Sequence, residues 1–280
     1  MRVRIWGCRG SVPAPGPSTV RYGGNTSCVE VQLANGEVLV LDAGSGIRAL
    51  GPDILDRGIR RVHLLLTHLH LDHIEGLRFF APLFDADVSV EIWGPPSPVV
   101  GLRERLARSF SPPLFPIDLR GVPARISFHD VPRAPWRVGG ATISAALVSH
   151  PGPTLGYRVE ADGSSLAYLP DHEPALVGEL VRASREWISG SSVAEGADLL
   201  LHDTQFSDDE YPDRVGWGHS SVADAVAFAH AAGSRRLVLF HHDPGRSDAA
   251  LEELEAEARA LADGAREPTL AREGMVFDLD

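Results

Sequence analysis

The sequence predicts an α+β protein in which two strand-rich halves pack as a sandwich. Short apolar runs bounded by Gly, Pro and Asn turn signals recur along the chain, with helical patterns between them. A second series of strands, from Ala124 onward, mirrors the first. No linker of shifted composition separates the halves, so residues 1–280 are expected to form one domain.

Residues 3–6 read as a first strand, and residues 7–25 as a long Gly- and Pro-rich loop. A loop of that length is more often functional than idle, against the alternative of a plain surface loop. Residues 27–33 alternate apolar and polar, residues 38–41 form a buried strand, and Asn35-Gly36 between them is a hairpin signal. Asp42-Ala43-Gly44-Ser45-Gly46 closes that strand and opens a helix toward Leu55.

The run Val62-His63-Leu64-Leu65-Leu66 is a further buried strand, and Ile74-Glu75-Gly76-Leu77 begins a helix. Residues 77–84 are apolar and partly helical, residues 88–94 a strand, and residues 100–108 a short helix. Residues 112–116 are irregular and apolar, lining a pocket or simply packing. Strands follow at residues 126–128, 141–148, 154–161 and 164–169, with turns at Gly139-Gly140 and Asp162-Gly163. Ser221 and Asp224 form a capping-box pattern ahead of a helix with Val222, Val226 and Ala229 on one face.

Composition narrows the function. The formal charge is −12, from 26 basic and 38 acidic residues, which disfavours affinity built on neutralising a long phosphate backbone. All the basic residues are arginine, so no lysine Schiff base, P-loop lysine or lysine general base is available. Two cysteines, Cys8 and Cys28, indicate neither a disulfide framework nor a thiolate zinc site. No signal-peptide core and no stretch of transmembrane length is seen, so a cytoplasmic location is expected.

The chemistry concentrates in Thr67-His68-Leu69-His70-Leu71-Asp72-His73, at a strand-to-helix turn. His68 and His70 alternate with Leu69 and so project to one side, while Asp72 and His73 face a second point nearby. Imidazole nitrogen and carboxylate oxygen are ligands of a borderline divalent metal such as zinc.

This spacing resembles the signature of the metallo-β-lactamase superfamily, whose fold is a four-layer αββα sandwich with the metal site at one edge. The segment Trp6-Gly7-Cys8-Arg9-Gly10-Ser11-Val12-Pro13 is similar to the opening of its phosphodiesterase branches, where the loop after the first strand lies at the mouth of the site. The resemblance makes Asp42 a support behind the metal loop; an ordinary helix N-cap is the competing reading. It makes His150, before Gly156-Tyr157-Arg158, a third ligand with His68 and His70, in a motif similar to cyclic phosphodiesterases and tRNA trailer-processing endonucleases. Asp171 becomes a carboxylate bridging two metals, although Pro170 departs from the usual Gly or Ser; the alternative is a cap for a helix after Pro174. The register of the resemblance, over Leu237-Val238-Leu239-Phe240-His241, implies His241 as partner of Asp72 and His73, with His242 the alternative; neighbours on a strand point oppositely, so the two are not expected to bind together.

Two divalent ions are implied, zinc first and manganese or iron as substitutes, with a bridging hydroxide as nucleophile. Gly218-His219-Ser220 resembles the phosphodiesterase branch, where the histidine helps protonate the leaving oxygen. This implies that His219 is the acid, with Asp203 as a candidate orienter. Arg246 is either a phosphate grip or a surface residue; His172 and His202 are undecided, and His63, His129 and His230 read as structural. The expected activity is hydrolysis of a small phosphodiester, cyclic ones included. Only 21 positions separate His150 from Asp171, too few for the protruding arm of the tRNA endonucleases, so tRNA is not the expected substrate. Hydrolysis of another ester, lactone, thioester or β-lactam, or a non-catalytic metal sensor, are the rival functions. The glutamate typical of the di-iron redox branch is replaced here by His70. The family suggests a homodimer, and with no stretch of transmembrane length no membrane partner is expected.

Overall fold

The structure, a computed structural model, describes residues 1–174, 188–262 and 267–279. Its strands begin with β1 (Arg2–Gly7), β2 (Cys28–Gln32), β3 (Val38–Leu41), β4 (Arg61–Leu65), β5 (Ser89–Gly94) and β6 (Arg125–Asp130). They continue as β7 (Trp136–Val138), β8 (Ala141–Leu147), β9 (Leu155–Ala161) and β10 (Ser164–Leu169). The last four are β11 (Leu199–Asp203), β12 (Leu237–Phe240), β13 (Thr269–Leu270) and β14 (Val276–Asp278). Among the described residues these form two seven-stranded sheets, ordered β14-β1-β2-β3-β4-β5-β6 and β13-β12-β11-β10-β9-β8-β7.

Period-two alternation sorts the side chains of each central strand onto two buried faces. In β3, Leu39 and Leu41 join the apolar layer between the sheets, whereas Val38 and Val40 face outward. In β10, Leu166 and Tyr168 point inward while Ala167 and Leu169 point outward. The outer face of the first sheet is covered by α1 (Ile47–Asp56), through Ile47, Leu50 and Ile54. The one-turn helix α2 (Leu71–Ile74) and α3 (Leu102–Ala107) add Ile74, Leu102 and Leu106 to that layer. The second sheet is covered by α4 (Ser191–Ala194), α5 (Val222–Ala232) and α6 (Asp248–Leu261), through Val193, Val222, Phe228, Leu251 and Leu254. Helix, sheet, sheet, helix is thus the layer order that the resemblance implies. No helix among the described residues is long and apolar enough to cross a membrane.

Three expectations need correction. Residues 126–128, grouped with the second half, lie in β6 at the edge of the first sheet, parallel to β5. Parallel strands need a long crossover, and the segment carrying α3 supplies it. The helix expected from Ile74 starts earlier, at Leu71, and Asp72 and His73 fall inside its single turn. It gives way at Ile74 (φ −132°) to a 3-10 turn over Glu75–Phe79. Finally, the second series does not keep the whole C-terminal half, because β14 pairs antiparallel with β1, Arg2 opposite Asp278. The helix after Pro174 that Asp171 was alternatively read to cap lies outside the described residues.

Direction of the strands positions the site. Strands β3 and β4 run parallel, as do β10, β11 and β12. Strand β8 shares their direction, being antiparallel to β9, which is antiparallel to β10. Their carboxyl ends therefore open at one edge of the sandwich, where α/β sheets place ligands. Leu39, fully buried between the sheets, tests the core. Leu39→Ala is expected to destabilise the protein by about 2–5 kcal/mol, read from the midpoint of urea unfolding.

Candidate metal centre

The turn after β4 is built on one carboxylate. Asp42, directly after β3, is fully buried with φ 61°, a left-handed conformation that aspartate tolerates better than most residues. Its Oδ1 accepts the Thr67 backbone N–H at 2.7 Å, and Oδ2 accepts the Thr67 hydroxyl at 2.9 Å and the Tyr168 hydroxyl at 3.0 Å. His73 Nδ1 lies 2.8 Å from Asp42 Oδ2 and donates to it, which leaves Nε2 facing the cluster. The helix α1 is capped at Gly46 without any side chain, so Asp42 acts behind the turn and not as its N-cap.

Two groups of ligand atoms converge there. His68, His70, His150 and Asp171 form one, and Asp72, His73, Asp171 and His241 the other, with the atoms of each group within 4.8 Å of one another. His68 Nε2 and His150 Nε2 stand 3.7 and 3.6 Å from Asp171 Oδ2, and His150 Nε2 is 3.2 Å from His70 Nδ1. On the other side, His73 Nε2 and His241 Nε2 lie 2.9 and 3.3 Å from Asp171 Oδ1. They lie 3.4 and 3.3 Å from Asp72 Oδ2 and 3.4 Å from each other. Bonds of 2.0–2.1 Å about a tetrahedral centre place ligand atoms about 3.3–3.4 Å apart. The observed spacings cluster around that value, and the two oxygens of Asp171 face different groups.

The electrostatics suit cation binding. Burial lowers the basicity of His68, His70 and His150, leaving neutral imidazoles with a free lone pair. His68 Nε2 is buried without a hydrogen-bond partner. Burial opposes ionisation of Asp171, yet His241, His73 and His68 hold its carboxyl well below the usual range. Burial likewise disfavours a charge on His73, but Asp171, Asp72 and Asp42 raise it well above an ordinary histidine. The same carboxylates favour any cation that takes the proton's place.

The remaining pieces come from loops. The loop after β1 does border the cluster: the Ser11 N–H donates to Asp72 Oδ2 at 2.7 Å. Gly10 packs so tightly that a Cβ there would stand 2.4 Å from the His241 imidazole. His241 (φ 62°) follows β12 and turns its ring into the cluster, whereas His242 turns away and donates Nε2–H to Ala271 O at 2.8 Å. His219 stacks on His241 with ring centroids 5.0 Å apart, and its Nδ1 lies 2.6 Å from Asp203 Oδ2. That contact is a hydrogen bond, shorter than two ligands of one metal would stand. Burial lowers the basicity of His219, but Asp203, Asp171 and Asp72 outweigh it and push its pKa up to about 9.

Other candidates find separate partners. Arg246 donates to Glu210 and to the Gln205 carbonyl. His129 pairs with Glu91 at 2.6 Å and stacks on Trp93. His172 and His202 form a buried pair at 2.8 Å against Phe228. Cys8 and Cys28 are free and buried. Sequence reasoning missed Thr67, Tyr168, the Ser11 amide and Glu173, because each touches the site through an ordinary polar group without motif spacing.

Comparison with known proteins identifies the family. A β-lactamase superfamily domain matches residues 38–242. Ribonuclease Z of Mycobacterium bovis is 30% identical over 270 residues, covering 87% of this chain and 86% of the relative. Ribonuclease Z of Haloarcula marismortui is 27% identical, covering 98% and 96%. The fold also matches the metallo-β-lactamase fold protein YhfI from Bacillus subtilis, with TM-score 0.71, 20% identity and coverage of 99% and 98%. Human tRNase Z, short form, matches with TM-score 0.68 and 22% identity over the whole of both chains. The chain belongs to the metallo-β-lactamase superfamily, in its phosphodiesterase branch. The expectation that tRNA is not the substrate finds no support among these relatives, several of which are ribonuclease Z proteins.

Two outcomes follow from the buried network. Removing the support in Asp42→Ala is expected to weaken metal affinity about 10–100-fold, measured by competition against a chromogenic chelator. His202 is held neutral by burial, its pKa pushed down to about 4, while an unfolded histidine titrates near about 6.5. The unfolded chain thus binds this proton more readily, so stability present above about pH 6.5 is lost as pH falls toward 4. Urea midpoints measured across that window should fall less steeply in His202→Phe than in the unaltered protein.

Proposed function

We propose that the chain is a dinuclear metal-dependent phosphodiesterase acting on a small phosphodiester. The observation that carries this reading is Asp171: one oxygen faces His68 and His150, the other faces His73 and His241, and His219 lies alongside. His68, His70 and His150 would hold one ion, Asp72, His73 and His241 the other, and Asp171 both. Nitrogen and oxygen donors at these spacings suit zinc first, with manganese or iron as substitutes. Divalent ions, when bound, activate water and polarise a phosphoryl oxygen.

The chain's own residues then complete the chemistry. Asp203 keeps the Nδ1 proton of His219 engaged, so the imidazole is fixed in orientation and its Nε2 is the proton donor. As the phosphorus–oxygen bond to the leaving group breaks, that proton passes to the departing oxygen. The acid is what separates this reading from hydrolysis of a lactone or thioester and from a metal sensor.

A pocket of about 470 Å³ adjoins His68 and His70 and supports a small anionic substrate. Leu69, Leu71 and Leu114 give it apolar walls, and Arg105 and Arg108 line it with positive charge. A second reading, cleavage of a phosphodiester within RNA, is favoured by the ribonuclease Z relatives. Metal analysis of purified protein, with turnover of bis(4-nitrophenyl) phosphate and of a short RNA, tests both. About two ions per chain and turnover of the aryl diester are expected, with Asp72→Ala about 100-fold or more slower, equivalent to about 2.7 kcal/mol of barrier. Preferred cleavage of RNA would establish the second reading. A full metal complement with no turnover of any phosphodiester would sink both.

A further inference from the structure

We infer that Glu173 is a positioning residue for His219, holding the loop that carries it in register with the metal centre. This rests on the reading of His219 as the proton donor. Glu173 is completely buried two residues after Asp171, yet its carboxylate reaches no ligand atom. It collects the loop ahead of His219. Its Oε1 accepts the Tyr211 hydroxyl and the Gly216 N–H, each at 2.8 Å, and its Oε2 accepts the Gly218 N–H at 2.8 Å.

The backbone is shaped for this. Gly216 (φ 85°) and Gly218 (φ 88°) adopt left-handed conformations that glycine alone reaches without strain, so alternate N–H groups converge on one anion. From the opposite side, His150 Nδ1 donates to the Gly218 carbonyl at 2.8 Å. The loop is thus held between a carboxylate and the back of a proposed metal ligand, one residue before His219. The intervening residue adds two more ties: the His172 N–H reaches Asp203 Oδ2 at 3.1 Å, and its carbonyl accepts the Ser220 hydroxyl at 3.0 Å. Asp171, His172 and Glu173 therefore connect, in three successive residues, the ion site, the orienter of the acid and the acid's own loop.

Charge is essential to the arrangement. A carboxylate meets three donors with acceptors only, whereas a glutamine would offer one oxygen and turn an NH2 group toward an N–H. The mismatch in a dry site displaces the loop, and misplacing a catalytic group by about 1 Å costs on the order of 100-fold in rate.

The test uses metal-loaded protein and a series of methyl aryl phosphates whose phenols differ in acidity. A proton donor matters most for the most basic leaving groups, so its loss steepens the fall of kcat with leaving-group pKa. Glu173→Gln is expected to lower kcat about 10–100-fold for the phenyl ester and less than about threefold for the 4-nitrophenyl ester, in the pattern of His219→Ala, with metal content unchanged. Tyr211→Phe, which removes one donor from the half-buried end of the network, should show the same steepening to a smaller degree, and decides the matter if Glu173→Gln does not fold. An equal fall for every ester, or no change of slope in these variants while His219→Ala steepens it, overturns the inference. If His219→Ala itself leaves the slope unaltered, the role of His219 is what fails, and the inference fails with it.

Discussion

Buried negative charge is the constraint on which this structure turns. Asp42, Asp72 and Asp171 lie side by side at one edge of the sandwich, all of them buried. A carboxylate removed from water without compensation costs several kcal/mol. Asp42 is compensated by the protein itself, through Thr67, Tyr168 and His73, and is therefore structural. Asp171 is faced by imidazoles whose nitrogens are ligand-type atoms. Its charge is answered by protons on those rings or by cations between them, and the spacing of the rings suits cations. The same geometry thus separates a carboxylate satisfied within the protein from one placed among ligand-type atoms, though both are aspartates at strand ends.

The sandwich makes this convergence affordable in conformational terms. The central strands of each sheet are buried on both faces, which fixes their carboxyl ends relative to one another. The cluster draws its members from the ends of β4, β8, β10 and β12, elements far apart in the chain. Residues beyond the strand ends need only short turns to reach the centre. Loops then finish the site: the β1 loop brings the Ser11 amide to Asp72, and the loop before α5 brings His219 to His241. Glycines at positions 10 and 218 permit these close approaches, each lying against the imidazole of a ligand-type histidine.

Much of this was legible in the linear sequence, and the failures have physical causes. Strands buried on both faces announce themselves as apolar runs, so β3, β4, β10 and β12 were found from residue type alone. Short edge strands such as β7, β13 and β14 carry little periodicity and were not. The assignment of residues 126–128 to the wrong half failed because a strand's own residues do not encode its neighbour. The one-turn helix α2 was misplaced by three residues, since it is held by the cluster and by Asp42 and not by its own propensity.

What the sequence by itself determined was local: where strands end, which residue types stand at those ends, and that His68, His70, Asp72 and His73 share one turn. Spacing of a few residues is enough for that, because strand and turn geometry restrict where adjacent side chains point. The turning of His242 away from the cluster, the support by Tyr168 and the clasp of Glu173 were decided only in three dimensions. Each depends on a left-handed backbone angle or on a partner up to 126 positions away, and neither leaves a mark on the residues nearby.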